Sequence, residues 1–137
     1  MIGIVIVTHG GLSDALIDTA ELILGARPDA VVSVSIHPDE DVDRLRDKVA
    51  RGVKAANRKA GVLVLTDMFG GTPSNLSYSL LEEGRVEVLS GVNLPMVIKA
   101  LNSREGMELP RLAETLEAFG KRSISLASGI LRGNKRG

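Results

Sequence analysis

Short apolar, β-branched runs alternate along the chain with stretches whose apolar residues recur at helical spacing. Residues 2–8 (IGIVIVT) are nearly all apolar, the pattern of a strand covered on both faces. Leu16, Ile17, Ala20, Ile23 and Leu24 follow on one helical face. Ser13 is predicted to cap that helix, Asp14 to sit in its first turn and Gly25 to end it. Residues 31–36 (VVSVSI) predict a second strand, and Pro38 with Asp39, Glu40 and Asp41 opens a second helix. Its apolar stripe is Val42, Leu45, Val49, Val53 and Ala56, and the surrounding Arg and Lys residues form its solvated face.

Residues 62–66 (VLVLT) predict a third strand, and Thr72 with Pro73 reads as an N-cap and first helical residue. Residues 86–90 (VEVLS) predict a fourth strand, with Asn93 capping a helix to about Leu101. Pro110 starts a helix carrying Leu112, Leu116 and Phe119 and ending at Gly120. Ser123–Ser128 alternates apolar and polar residues and predicts a last strand. Repeated strand–helix units imply a three-layer α/β domain with a mostly parallel sheet. Residues 1–128 are expected to form one domain, and 129–137 a short, flexible basic tail.

Composition narrows the possibilities. Seventeen basic and 17 acidic residues give no net charge, which argues against nucleic acid as a partner. Phe69, Tyr78 and Phe119 are the only aromatics, too few for a base-stacking platform. Without cysteine there is no disulfide, thiolate chemistry or thiolate-bound zinc. The apolar run at the N-terminus stops at Thr8, too short for a signal-peptide core or a membrane span. A cytoplasmic location is expected, with no cofactor.

In an open parallel sheet, sites lie outside the carboxyl ends of the strands. Those ends carry Thr8-His9-Gly10-Gly11, Asp67-Met68-Phe69-Gly70-Gly71-Thr72-Pro73 and Gly91-Val92-Asn93-Leu94-Pro95. If the strand order is 2-1-3-4, His9 and Asp67 become neighbours. A carboxylate that accepts one imidazole N–H fixes tautomer and ring orientation and leaves the other nitrogen as a nucleophile. Gly10, Gly11, Gly70, Gly71 and Thr72 would supply close-approaching backbone and free N–H groups for a phosphoryl dianion. Each residue also has a plainer reading. Asp67 can merely cap a turn, the glycine pair can be only a tight turn, and Thr72 is a cap in any case. His37 reads as a surface loop residue, and Met68 and Phe69 as either core or an exposed docking patch.

These segments carry a resemblance. The chain resembles the enzyme IIA domain of the mannose family of the bacterial phosphoenolpyruvate-dependent sugar phosphotransferase system. The resemblance runs from the first strand to about Ser128 and rests on GIVIVTHGGLSDAL, TAELILG, GVLVLTDMFGGTPSN and GVNLPM. It implies that His9 carries a phosphoryl group on Nε2 and that Asp67 bonds the other ring nitrogen. It implies the phosphocarrier protein HPr as donor and an enzyme IIB as acceptor. The membrane is then met only indirectly, through enzymes IIC and IID. It also implies a homodimer in which the last strand, about Ser123–Ser128, crosses antiparallel to the partner subunit. Met68, Phe69, Asn93 and Pro95 are the candidate docking residues around His9. Some family members carry enzyme IIB in the same chain, behind a linker; none follows here, so the acceptor is expected to be a separate protein.

A regulatory module that binds another protein in one phosphorylation state is the alternative, with the same phosphohistidine. A receiver-type domain phosphorylated on Asp67 would need an acidic pair for Mg²⁺ where Thr8-His9 stands. A histidine phosphatase would want an arginine in place of Thr8. A nucleotide fold would want G-x-G-x-x-G or GK[ST], and neither is present.

Overall fold

A computed structural model describes residues 1–133. Four strands, β1 (Gly3–His9), β2 (Val31–Ile36), β3 (Val62–Thr66) and β4 (Val86–Ser90), form one sheet in the order β2-β1-β3-β4. All three pairings are parallel, and the register sets His9 opposite Ile36 and Val7 opposite Thr66. Among the described residues six helices accompany them: α1 (Leu12–Leu24), α2 (Val42–Ala56), α3 (Thr72–Tyr78), α4 (Leu94–Ser103), α5 (Leu109–Arg122) and α6 (Ala127–Leu131).

The continuous apolar runs are explained by burial on both faces. Ile4 and Ile6 of β1, with Leu63 and Leu65 of β3, pack under α1, α4 and α5. Val5, Val7, Val62 and Val64 turn to the opposite face, under α2 and α3. A fully buried Ile or Leu side chain contributes about 1.5–3 kcal/mol, against about 1 kcal/mol net for a hydrogen bond. The two apolar layers therefore fix where the strand ends lie. At the amino edge the buried Arg104 ties the start of the sheet together, donating to the carbonyls of Ile2, Asp29 and Ala30.

All four parallel strands fall where the apolar runs place them. The expected order 2-1-3-4 is the observed one. Helix ends differ for local reasons. Gly11, not Ser13, is the N-cap of α1; Ser13 is buried in the first turn, and its N–H is taken by the Thr8 hydroxyl at 2.8 Å. Thr72 is already helical behind an N-cap at Gly71. Asn93 caps α4 as expected, its Oδ1 accepting the Met96 N–H at 3.0 Å. Gly120 does not end α5 but lies inside it. A Cβ there would come 2.6 Å from the Met96 methyl, so the glycine serves close packing rather than termination.

The predicted last strand Ser123–Ser128 is corrected at its two ends, which belong to the cap of α5 and to a short helix. Ser123 follows α5 as its C-cap and donates to the Phe119 carbonyl at 2.7 Å. Ala127–Leu131 is a short helix behind Leu126. Among the described residues no further strand lies along β4, and residues 124–126 join no ladder of this chain. The expected tail divides accordingly: residues 129–131 belong to α6, and 134–137 lie outside the described residues. Among the described residues no helix is long and apolar enough to cross a membrane.

Candidate active site

His9 is the last residue of β1, and Asp67 follows the last residue of β3. Because β1 and β3 are parallel neighbours, their carboxyl ends open at the same edge. The side chains meet there. Nδ1 of His9 lies 2.7 Å from Oδ2 of Asp67, and the same oxygen accepts the backbone N–H of His9 at 2.9 Å. Oδ1 accepts the N–H of Met68 at 3.0 Å. The Asp67 side chain is 12% exposed and the His9 side chain 51%. An inward carboxylate thus holds an outward imidazole.

Burial pushes the Asp67 carboxyl up. The amide of His9, its ring N–H and charge, and the amide of Met68 together outweigh this and hold Asp67 below its ordinary value. The carboxylate is then ionised at neutral pH and can only accept. The ring proton must sit on Nδ1, and in the neutral ring Nε2 keeps its lone pair.

The loop after Asp67 is shaped to the ring. Gly70 has φ +85°, which a side chain would strain. At Gly71 a Cβ would stand 3.1 Å from Cε1 of His9 and 3.7 Å from Nε2, so bare backbone approaches the nucleophilic side. Ser74 locks this loop: its hydroxyl accepts the Gly70 N–H and donates to the Gly71 carbonyl, both at 3.1 Å. Across the ring, Gly10 has φ +52° and its N–H bonds the Ile36 carbonyl.

The residues read from the sequence divide into groups. His9, Asp67, Gly70 and Gly71 come together. Gly10 and Gly11 lead directly from β1 into α1, and Thr72 is exposed at the start of α3. Met68 and Phe69 are exposed on the loop beside Asp67, not in the core. Asn93 turns inward; besides capping α4 it donates to the Gly120 carbonyl. Pro95 lines an apolar groove of about 430 Å³ with Leu94, Ile98, Phe119 and Ile23. Thr8 and Ser74 were not singled out. Thr8 reads as the end of an apolar strand, yet its Oγ1 donates to the His9 carbonyl and accepts from Ser13. A serine two residues into a helix behind two glycines was the signal available for Ser74.

The family model described as "PTS system fructose IIA component" matches residues 3–117. The chain belongs to this mannose-type IIA family of the sugar phosphotransferase system. It is 32% identical over 129 residues to the fructose-specific EIIA component of Bacillus subtilis, spanning 93% of this chain and 88% of that one. It is 35% identical over 105 residues to the mannose-specific EIIAB component of Escherichia coli K12, covering 76% of this chain but 32% of that longer protein. The crystal structure of phosphotransferase system component EIIA from Streptococcus agalactiae superposes with a TM-score of 0.83 at 32% identity. That match covers 93% of this chain and 98% of the other. The shared fold is the α/β fold with the parallel sheet in the order 2-1-3-4.

Proposed function

We propose that this IIA-family chain is a phosphoryl carrier that accepts a phosphoryl group on Nε2 of His9 and passes it on. HPr is the donor in this reading and an enzyme IIB the acceptor. The observation that carries it is the Nδ1–Oδ2 contact of 2.7 Å, which reserves Nε2 of a half-exposed ring for chemistry. In the forward step the Nε2 lone pair attacks phosphorus of the donor phosphohistidine. The new N–P bond forms as the donor N–P bond breaks, and the donor nitrogen recovers its electron pair. The phosphorylated ring of His9, still protonated on Nδ1, carries positive charge that the Asp67 carboxylate stabilises. The same charge makes the ring a good leaving group for the return or onward step. Gly11, Gly71 and Thr72 face the incoming phosphoryl group in this reading, while Gly10 and Gly70, whose N–H groups bond the Ile36 carbonyl and the Ser74 hydroxyl, shape the backbone around it. Met68, Phe69 and Pro95 contribute to the docking face that excludes water during transfer, and Asn93, turned inward, supports it by capping α4.

A homodimer belongs to the same reading. Leu126, Ile130 and Leu131 are exposed beyond α5, and β4 ends the sheet with one edge that pairs with no other strand among the described residues. Covering that edge and those side chains with a second copy would remove both liabilities. Incubation with phosphoenolpyruvate, enzyme I and HPr tests the main proposal. An acid-labile adduct should appear on the wild type and be absent from His9→Ala, with folding unchanged.

A further inference from the structure

The chain holds three aromatic residues, Phe69, Tyr78 and Phe119, and two of them meet beside the loop that follows Asp67. Phe69 is 78% exposed, and its ring lies 6.3 Å from that of Tyr78 at an interplanar angle of 48°. Phe69 stands between a methionine and a glycine of positive φ, on the exposed loop. Tyr78, 37% exposed, reaches back to the sheet. It closes α3, and its hydroxyl lies 3.4 Å from the Ser90 hydroxyl at the end of β4. Ser90 in turn accepts from Thr66 at 2.7 Å, and Thr66 immediately precedes Asp67. The N–H groups of Gly91 and Val92 both bond the Thr66 carbonyl and secure this corner.

We propose that Tyr78 is a positioning residue for partner docking: it holds Phe69 in a fixed place beside His9, ready for a protein phosphodonor. The proposal rests on the reading of His9 as phosphoryl acceptor. A tilted aromatic pair is a favourable arrangement that orders a ring before a partner covers it. A preordered anchor loses less rotamer freedom on binding, so the association is tighter while the chemical step is untouched. Among the described residues Tyr78 makes no hydrogen bond to His9 or Asp67, so it should act on binding alone.

The test compares Tyr78→Ala, Tyr78→Phe, Phe69→Ala and the double variant Phe69→Ala/Tyr78→Ala. Two donors are used: phosphorylated HPr, which must dock, and phosphoramidate, a small donor that need not. Tyr78→Ala should raise KM for phosphorylated HPr roughly 3- to 10-fold, the range an aromatic pair is worth. Its kcat and its labelling by phosphoramidate should stay near wild type. Tyr78→Phe keeps the ring and should raise KM less. The double variant should be no worse than Phe69→Ala, because Tyr78 acts only through Phe69. If Tyr78→Ala does not fold, Tyr78→Leu replaces it and must show the same coupling. An unchanged KM, or effects of the two single variants that multiply in the double, would overturn the proposal alone. Failure of the wild type to be labelled by either donor would overturn the His9 reading and this proposal with it.

Discussion

One oxygen of Asp67 holds His9 twice: Oδ2 accepts the backbone N–H at 2.9 Å and meets ring Nδ1 at 2.7 Å. The backbone bond fixes where β1 ends relative to β3, and the ring bond fixes which nitrogen faces outward. Position and tautomer are thus set by the same atom, and a substitution there should disturb both.

Asp67→Asn keeps the shape but replaces an acceptor with an amide that can donate, so the ring can take the wrong tautomer. Transfer from phosphorylated HPr should slow by roughly 10²-fold or more in both directions, as orienting carboxylates do elsewhere. Quench-flow labelling with unchanged rates would reduce Asp67 to a turn residue.

The acid limit follows from the direction of the Asp67 shift. Its folded pKa is depressed, so the stabilisation is fully present above the ordinary value of 3.8 and is lost as pH falls through the folded value. Carbon NMR of the Asp67 carboxyl should give a midpoint below 3.8, with the hydrogen bond from ring Nδ1–H to Oδ2 kept above it. A midpoint at or above that value would mean that burial outweighs the hydrogen bonds.

Gly71→Ala introduces a Cβ 3.1 Å from Cε1 of His9 and 3.4 Å from Cγ of Met68. The φ of Gly71, −83°, suits alanine, so the fold should survive. The ring must give way, and transfer should fall by about 10-fold, since small misplacements of a reacting group are costly. A variant with wild-type rate and an unmoved His9 ring signal would show that the ring has room to yield.

The legible part of this protein was the part dictated by burial. β1 and β3 are covered on both faces, so their apolar runs marked them, and their parallel pairing brought His9 to Asp67. Residues such as Thr8, Ser74 and Tyr78 act through hydroxyl or ring contacts with partners fixed by the folded chain. No periodicity announces them. At Ser123–Ser128 alternation says which residues could share a face, not which strand they pair with, and among the described residues no strand of this chain lies beside them. Helix α6 takes only Ala127 and Ser128 of this segment.

The oligomer can be examined separately. Leu126→Asp with Ile130→Asp places charge on side chains that are 72% and 50% exposed in the single chain, so the fold should persist. Sedimentation equilibrium should show a dimer for the wild type in the micromolar range and a monomer for the variant. A wild type that stays monomeric would contradict the dimer and leave the His9 chemistry standing.

The most direct test of the central claim is phosphorus NMR of the protein after incubation with phosphoenolpyruvate, enzyme I and HPr. The account predicts a single phosphohistidine signal of the Nε2-linked type, lost in His9→Ala and on acidification. Labelling of His9→Ala to wild-type extent, or a signal from an Nδ1-linked or carboxyl phosphate, would contradict it.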